Sequence, residues 1–348
     1  MKESCNSIIL APYVAVGYSQ GILNLGFGSL NVKVTEKNLQ LIVLELCAFF
    51  KNAHEEEEAY KLPFEKELIH EGLSILKSKS YLVRDSVWKE VPVFFQRMSL
   101  ALLSEGIDPV QAFKNISTKE IMIMGCGAIG TSMAMLLATI GIKRLILIDE
   151  DLYDESNTGR STHITPSMIG KNKAQALRDI VIEKNPLINV EAHSKKLEQD
   201  VEYILPSCGF VILSADSSYL LKTVNAICVR QKIPFMQVGY AHDQAVWGPL
   251  VVPGETGCIA CRSHTLQPSS LNEREKELLA FINTGYIAPA PSYLAQFSVS
   301  LAIEDLVRFF TNRRARALNH QIAVSMHDLQ VQNLAYHSSE HCFCQTRY

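Results

Sequence analysis

The residues best able to do chemistry fall into two groups. The first opens with Gly125-Cys126-Gly127-Ala128-Ile129-Gly130, a G-x-G-x-x-G turn. With side chains missing, backbone N–H groups and the positive end of a following helix can approach a phosphate. Asp149 stands twenty-four positions after Gly125, where a carboxylate can accept from ribose hydroxyls. Both features suit NAD as well as ATP. They are followed by Asp151, Ser156-Asn157-Thr158-Gly159-Arg160 and Gly170-Lys171-Asn172-Lys173-Ala174, a set for which hydride transfer has no need. A triphosphate is already highly charged, and in-line attack at its α-phosphorus builds further charge that Arg, Lys and Mg²⁺ neutralise. The second group is Cys258-Ile259-Ala260-Cys261 together with His341-Cys342-Phe343-Cys344. Two clusters of soft ligands match a closed tetrahedral zinc site built from Cys258, Cys261, Cys344 and either Cys342 or His341, with Cys342 favoured. A redox-active C-x-x-C is the rival reading, but it opens a thioredoxin-like helix and needs no distant partner.

The elements that must position these residues follow from the hydrophobic pattern. From Glu120 onward, strands and helices alternate: strand 121–124, helix 128–140, strand 144–148, helix 171–184, strands near 188–192 and 210–214, helix 219–231 and strand 234–238. This alternation predicts an α/β fold with a mostly parallel, Rossmann-like sheet whose ligand lies beyond the carboxyl ends of the strands. Residues 1–90 read differently, with Gly-rich strand-like pieces over 13–34, helices over 38–50 and 64–77, and a strand at 81–83. That order resembles a small winged-helix unit. DNA binding is not its expected role, because residues 1–90 carry ten Lys/Arg against twelve Asp/Glu and so lack a basic face for phosphates. The run Glu55 to Glu58 reads as a solvated face. The predicted domains are therefore 1–90 and 91–348.

At 348 residues, 47% hydrophobic and 20% charged, the chain has the composition of a globular protein of two domains, with no uninterrupted apolar stretch long enough to span a bilayer. Its net charge of −3 offers no broad footprint for nucleic acid, and Glu3 and Pro12 interrupt any signal-peptide pattern, so a cytoplasmic location is expected. Nine cysteines, mostly isolated in apolar segments, suit reduced thiols and one metal site better than a disulfide framework.

The spacing of Asp149 with Asn157 at +8, Arg160 at +11 and Lys173 at +24 resembles the ThiF/MoeB/HesA family of ubiquitin-activating-enzyme-like proteins. Phe210-Val211-Ile212-Leu213-Ser214-Ala215-Asp216 is similar to that family's strand ending in a Mg²⁺-binding aspartate. The resemblance implies a Rossmann-like adenylation domain in which Gly125, Gly127 and Gly130 cradle ATP and Asp149 binds ribose. Asn157, Arg160 and Lys173 would then contact phosphates, with Asp151 supporting them and Asp216 holding Mg²⁺. Arg160, Lys173 and Asp216 would be the catalytic set. Ser161 departs from the family, which usually has Gln after the Arg. The family also places an arginine near Arg97 that reaches the partner subunit's ATP, which implies a homodimer.

No cysteine lies between Arg262 and Glu340. That span should contain the crossover loop, about 263–291, near which thioester-forming relatives carry their nucleophile. Cys126, Cys208 and Cys228 read as core thiols. A winged-helix-like unit ahead of such a domain resembles the branch of the family that modifies ribosomally made precursor peptides, as in microcin C and pantocin A biosynthesis. The likeness is clearest at Gly239-Tyr240, Ala245-Val246, Gly248-Pro249-Leu250 and Val252-Pro253-Gly254. It implies that residues 1–90 clamp a short peptide, whose carboxyl or amide group is adenylated and then cyclised or joined to a nucleotide. The alternative is activation of a ThiS/MoaD-like sulfur-carrier protein. No nucleic acid or membrane is expected as a partner.

Overall fold

The computed structural model describes residues 7–196, 208–215, 217–263, 271–285, 288–340 and 342–345. It separates into two compact units, Met1–Lys114 and Asn115–Tyr348. In the first, strands β1 (Ile8–Leu10), β2 (Val16–Ser19), β3 (Ile22–Leu25) and β4 (Val32–Val34) precede helices α1 (Lys37–Phe49) and α2 (Lys66–Ser78), strand β5 (Leu82–Arg84) and helices α3 (Gln96–Ser104) and α4 (Pro109–Ile116). Strands β2, β3 and β4 form an antiparallel meander with β4 at an edge, and β1 pairs with β5. Leu23, Leu25 and Val34 bury their side chains against Ile42, Val43 and Leu46 of α1 and Ile69, Leu73 and Leu76 of α2. Gln40 is a buried amide that joins helix to hairpin, donating to the carbonyls of Gly21 and Val34, each at 2.8 Å. The acidic run lies at the start of a 3-10 turn, Glu56–Lys61; Glu58 bonds His54 and Lys61, and Glu56 pairs with Lys77.

The second unit is organised on one eight-stranded sheet. Its strands are β6 (Glu120–Met124), β7 (Arg144–Ile148), β8 (Asn189–His193), β9 (Phe210–Leu213), β10 (Phe235–Ala241), β11 (Gln244–Val251), β12 (His320–Ser325) and β13 (Val331–Ala335), in the order 13-12-11-10-9-6-7-8. The five strands from β10 to β8 run parallel, and β11 to β13 continue the sheet antiparallel. All four residues of β9 and the last four of β6 and β7 are buried, as expected of parallel strands covered on both faces. Helices α5 (Ala128–Ile140), α6 (Glu155–Thr158), α7 (Lys173–Lys184), α8 (Ser218–Gln231), α9 (Ile259–Ser263), α10 (Glu273–Ile282) and α11 (Ser292–Phe310) complete the unit. Gly141, at φ +83°, ends α5 in the left-handed conformation that glycine adopts without strain. Among the described residues no helix is long and apolar enough to cross a membrane.

At the amino ends of three parallel strands, Arg144 on β7 bridges its neighbours. Its guanidinium makes two 2.8 Å bonds to Glu191 on β8 and one of 3.2 Å to Glu120 on β6. The glycine turn and Asp149 occupy the opposite end.

Candidate functional site

The chain enters the sheet at β6, moves outward to β7 and β8, then returns to the other side of β6 at β9. That reversal between β6 and β9 opens a crevice at the carboxyl ends of the strands. Register places Met124 of β6 beside Ile148 of β7 and Leu213 of β9. Gly125, Asp149 and Ser214 therefore leave the sheet side by side, on strands roughly 4.8 Å apart.

Each glycine of the turn has its own reason. Gly125 has φ +94°, where side chains are strained. A Cβ on Gly130 would fall 1.9 Å from the Gly125 carbonyl oxygen, so only glycine lets α5 start this close to β6. A Cβ on Gly127 would meet nothing within 4 Å: space next to the first turn of α5 is open on that side. The peptide unit of Cys126 is fixed from both sides. Its N–H donates to Asp149 Oδ2 at 2.7 Å, and its carbonyl accepts from the Tyr153 hydroxyl at 2.7 Å and from Thr131 Oγ1 at 3.0 Å. Asp149 is 7% exposed, and its Oδ1 accepts the N–H of Asp151 at 2.9 Å. Burial holds this carboxyl above the usual carboxylate range, opposed by the two N–H donors and by Lys173. Tyr153 and Thr131 carry no motif signature, yet they shape the turn; Asn172, inside the stretch 170–174, sets the start of α7 instead.

Lys173 begins α7, where Asn172 caps by accepting from the Gln175 N–H at 3.1 Å. The Asn172 amide also donates to the carbonyls of Asp149 at 2.9 Å and Asp151 at 3.2 Å, bringing the start of α7 against the end of β7. Lys173 Nζ bonds Asp151 Oδ2 at 2.9 Å; the lysine is 15% and the aspartate 64% exposed, so the pair lies at the solvent boundary with the lysine inside. Asn157 closes a capping box with Asp154 on α6, and Arg160 lies exposed two residues beyond that helix, with no side-chain hydrogen bond or ion pair to another described residue. The structure thus brings together Gly125, Gly127, Gly130, Asp149, Asp151 and Lys173. Asn157 and Arg160 follow on the same loop after β7. Asp216 lies outside the described residues, between Ser214, whose hydroxyl donates to the Gly125 carbonyl at 2.7 Å, and Ser217, which caps α8. Arg97 is an exposed residue of α3 in the first unit.

The four cysteines converge. The sulfurs of Cys258, Cys261, Cys342 and Cys344 all lie within 4.8 Å of one another, with Cys258 to Cys342 at 3.6 Å and Cys261 to Cys344 at 3.3 Å. Metal–sulfur bonds of 2.3 Å arranged tetrahedrally require S···S separations of about 3.8 Å, whereas a disulfide requires about 2.05 Å. The donor set and spacing fit a four-coordinate metal. His341, the other candidate for the fourth ligand, lies outside the described residues. The remaining described thiols are unsuited to nucleophilic work. Cys126 and Cys228 are buried and desolvation pushes both well up, while burial moves half-buried Cys208 to about 12. In the expected crossover segment α10 is exposed along its whole length, and residues 264–270 and 286–287 lie outside the described residues.

Solved structures share the fold of this chain. E. coli MccB, in a crystal structure with AMPCPP and MccA, superposes with a TM-score of 0.88 at 24% identity, over 98% of this chain and 100% of that one. PaaA superposes with a TM-score of 0.65 at 19% identity, over 81% and 96% of the two chains. Both likenesses concern the fold. Among curated sequences, ubiquitin-like modifier-activating enzyme 5 of Caenorhabditis elegans is 28% identical over 189 residues, covering 50% of this chain and 44% of that protein. A counterpart in Arabidopsis thaliana is also 28% identical, over 194 residues. This chain spans about half the length of such relatives. The ThiF family pattern matches residues 100–346, more than two thirds of the sequence, and the chain belongs to the ThiF family.

Proposed function

We propose that this chain is an ATP-dependent adenylating enzyme acting on a short, ribosomally synthesised precursor peptide. It activates a carboxyl or amide group of that peptide, leading to cyclisation or nucleotide attachment in the biosynthesis of a peptide antibiotic. The observation that carries the adenylation reading is the glycine turn, open at Gly127, beside Asp149 and Lys173 at the carboxyl ends of adjacent parallel strands. An oxygen of the substrate attacks the α-phosphorus of ATP, the bond to the bridging oxygen breaks, and pyrophosphate leaves. The N–H groups at the start of α5 and the charges of Lys173 and Arg160 stabilise the charge that builds on the phosphates. Asp149 orients the ribose. Asp216 is the residue assigned to Mg²⁺, which supplies further neutralisation on the leaving group when bound. Cys258, Cys261, Cys342 and Cys344 hold a structural Zn²⁺.

The peptide substrate is supported by two observations. The likeness to E. coli MccB runs through the N-terminal unit as well as the catalytic one, and the MccB structures in that comparison include its complexes with the peptide MccA. The buried, high-pKa thiols and the cysteine-free stretch 262–340 also argue against a thioester step. We assign precursor recognition to the N-terminal unit, where β4 is an edge strand among the described residues, to which an extended peptide can add a further strand. The unit of function is a homodimer in which Arg97 reaches the partner's nucleotide. A second reading, activation of a ThiS/MoaD-like carrier protein, is favoured by the curated relatives, which are ubiquitin-like activating enzymes. Pyrophosphate release decides between them. Release is expected with a synthetic peptide encoded by a small reading frame beside the gene; release only with a folded carrier ending in Gly-Gly would overturn the peptide assignment.

A further inference from the structure

Asn225 stands in the middle of α8 and is 2% exposed, on a face otherwise occupied by Leu220, Val224, Ile227 and Cys228. An amide in such a place is costly unless both of its ends are bonded. Both ends go to one turn. Oδ1 accepts the N–H of Ile259 at 2.9 Å, and Nδ2 donates to Cys258 Sγ at 3.6 Å. The Ile259 N–H fixes which end of the amide is oxygen, so the donor end faces sulfur. A neutral thiol gains little from such a donor. A metal-bound thiolate carries negative charge and gains more, and an N–H bond also sets the direction in which the sulfur presents its lone pairs.

We propose that Asn225 is a positioning residue of the metal centre, orienting the Cys258 thiolate and tying the C-x-x-C turn to α8. The inference rests on the four-cysteine metal site proposed above. It extends that site to a helix thirty-three residues earlier in sequence, whose first turn follows the loop between β9 and α8 at the nucleotide end. Leu220 and Val224 of that helix belong to the same buried cluster as Met124, Leu213 and three of the four cysteines, with Cys344 packed against it. The orientation of the metal turn and the seating of α8 are therefore set together.

The test uses the full chain, stripped of metal under reducing conditions and titrated with Zn²⁺ against a chromophoric chelator, and with Co²⁺ for its spectrum. Asn225→Leu should weaken zinc binding about 10- to 100-fold and shift the sulfur-to-cobalt charge-transfer band. Asn225→Asp keeps an acceptor for the Ile259 N–H but turns an oxygen towards the thiolate, so it should weaken binding at least as much while disturbing the turn less. Zinc affinity and a cobalt spectrum like the parent's in the Asp variant would overturn the inference, and this near-isosteric change keeps that outcome readable if the Leu variant folds poorly. A parent chain that gives no tetrahedral thiolate–cobalt spectrum would instead remove the metal site itself, and the inference with it.

Discussion

Alanine at Gly127 and alanine at Gly130 should separate binding from folding. At Gly130 the new Cβ would sit 1.9 Å from the Gly125 carbonyl oxygen and 3.0 Å from Ser214 Oγ. Since ordinary contacts begin near 3.4 Å, the start of α5 must retreat by over about 1 Å, an overpacking that costs roughly 1–3 kcal/mol. For a unit of this size that is a fall in melting temperature of roughly 3–10 °C. At Gly127, φ is −73° and a Cβ meets nothing, so Ala is sterically allowed. A stiffer unfolded chain gains about 0.4–1 kcal/mol, and a poorer N-cap offsets a similar amount, so stability should stay within about 1 kcal/mol of the parent. The methyl group, however, would stand in the open space beside the first turn of α5, where the proposed phosphate site lies. Affinity for a fluorescent ATP analogue should then fall at least about tenfold, or 1.4 kcal/mol, with little change in thermal melting. A Gly127→Ala protein that melts normally and binds ATP as tightly as the parent would refute the assignment of this turn to phosphate.

Lys173→Ala and Asp216→Ala should each reduce peptide-dependent pyrophosphate release by at least about 100-fold. The lysine variant should remain folded, because its one ion pair among the described residues is with the largely exposed Asp151; near-normal turnover would discount the site. Metal analysis should find about one zinc per chain, and Cys258→Ser should lower thermal stability more than it alters turnover of the protein that stays folded. Hydrogen bonds from Lys143 and Arg144 hold Glu120 below its ordinary pKa, and those from Arg144 do the same for Glu191. Depressed carboxyl pKa values contribute stability that is present above the unfolded value, about 4.3, and is lost as pH falls through the folded one. Arg144→Gln should therefore lower stability modestly near neutrality and flatten the acid side of the profile, the variant and parent converging below the folded pKa values, as followed by circular dichroism. Finally, a chain lacking residues 1–85, which keeps Arg97, should keep ATP affinity and lose most of its affinity for peptide in titration calorimetry; unchanged peptide affinity would transfer recognition to the rest of the chain.

Much of the catalytic unit was legible because its strands are parallel and buried. Ile121–Met124, Leu145–Ile148 and Phe210–Leu213 are apolar runs bounded by turn residues, and the glycine turn follows the first of them. The four cysteines were legible because metal ligands must come from few residue types. Tyr153, Thr131 and Asn225 were not, since each earns its place through a partner 5 to 34 residues away and nothing in local spacing announces that contact. Helix α11 and strands β12 and β13 lie beyond the motifs and went unread, although His320–Ser325 alternates in burial as a strand should. Helices α3 and α4, which follow residue 90, group mainly with the N-terminal unit, because that division depends on tertiary contacts and not on a composition shift.

The clamp on the Cys126 peptide bears on how such a chain can diversify. Tyr153 and Thr131 shape the glycine turn through buried hydrogen bonds to the Cys126 carbonyl, away from the open space at Gly127. The shape of the turn is settled when the protein folds, before any acid or nucleotide arrives. Loops around it can be exchanged for others that admit a different acyl group without rebuilding the cradle. The converse also holds: a change at Tyr153, which is buried and bonded to the Cys126 carbonyl, would disturb the turn whichever reaction the scaffold supports.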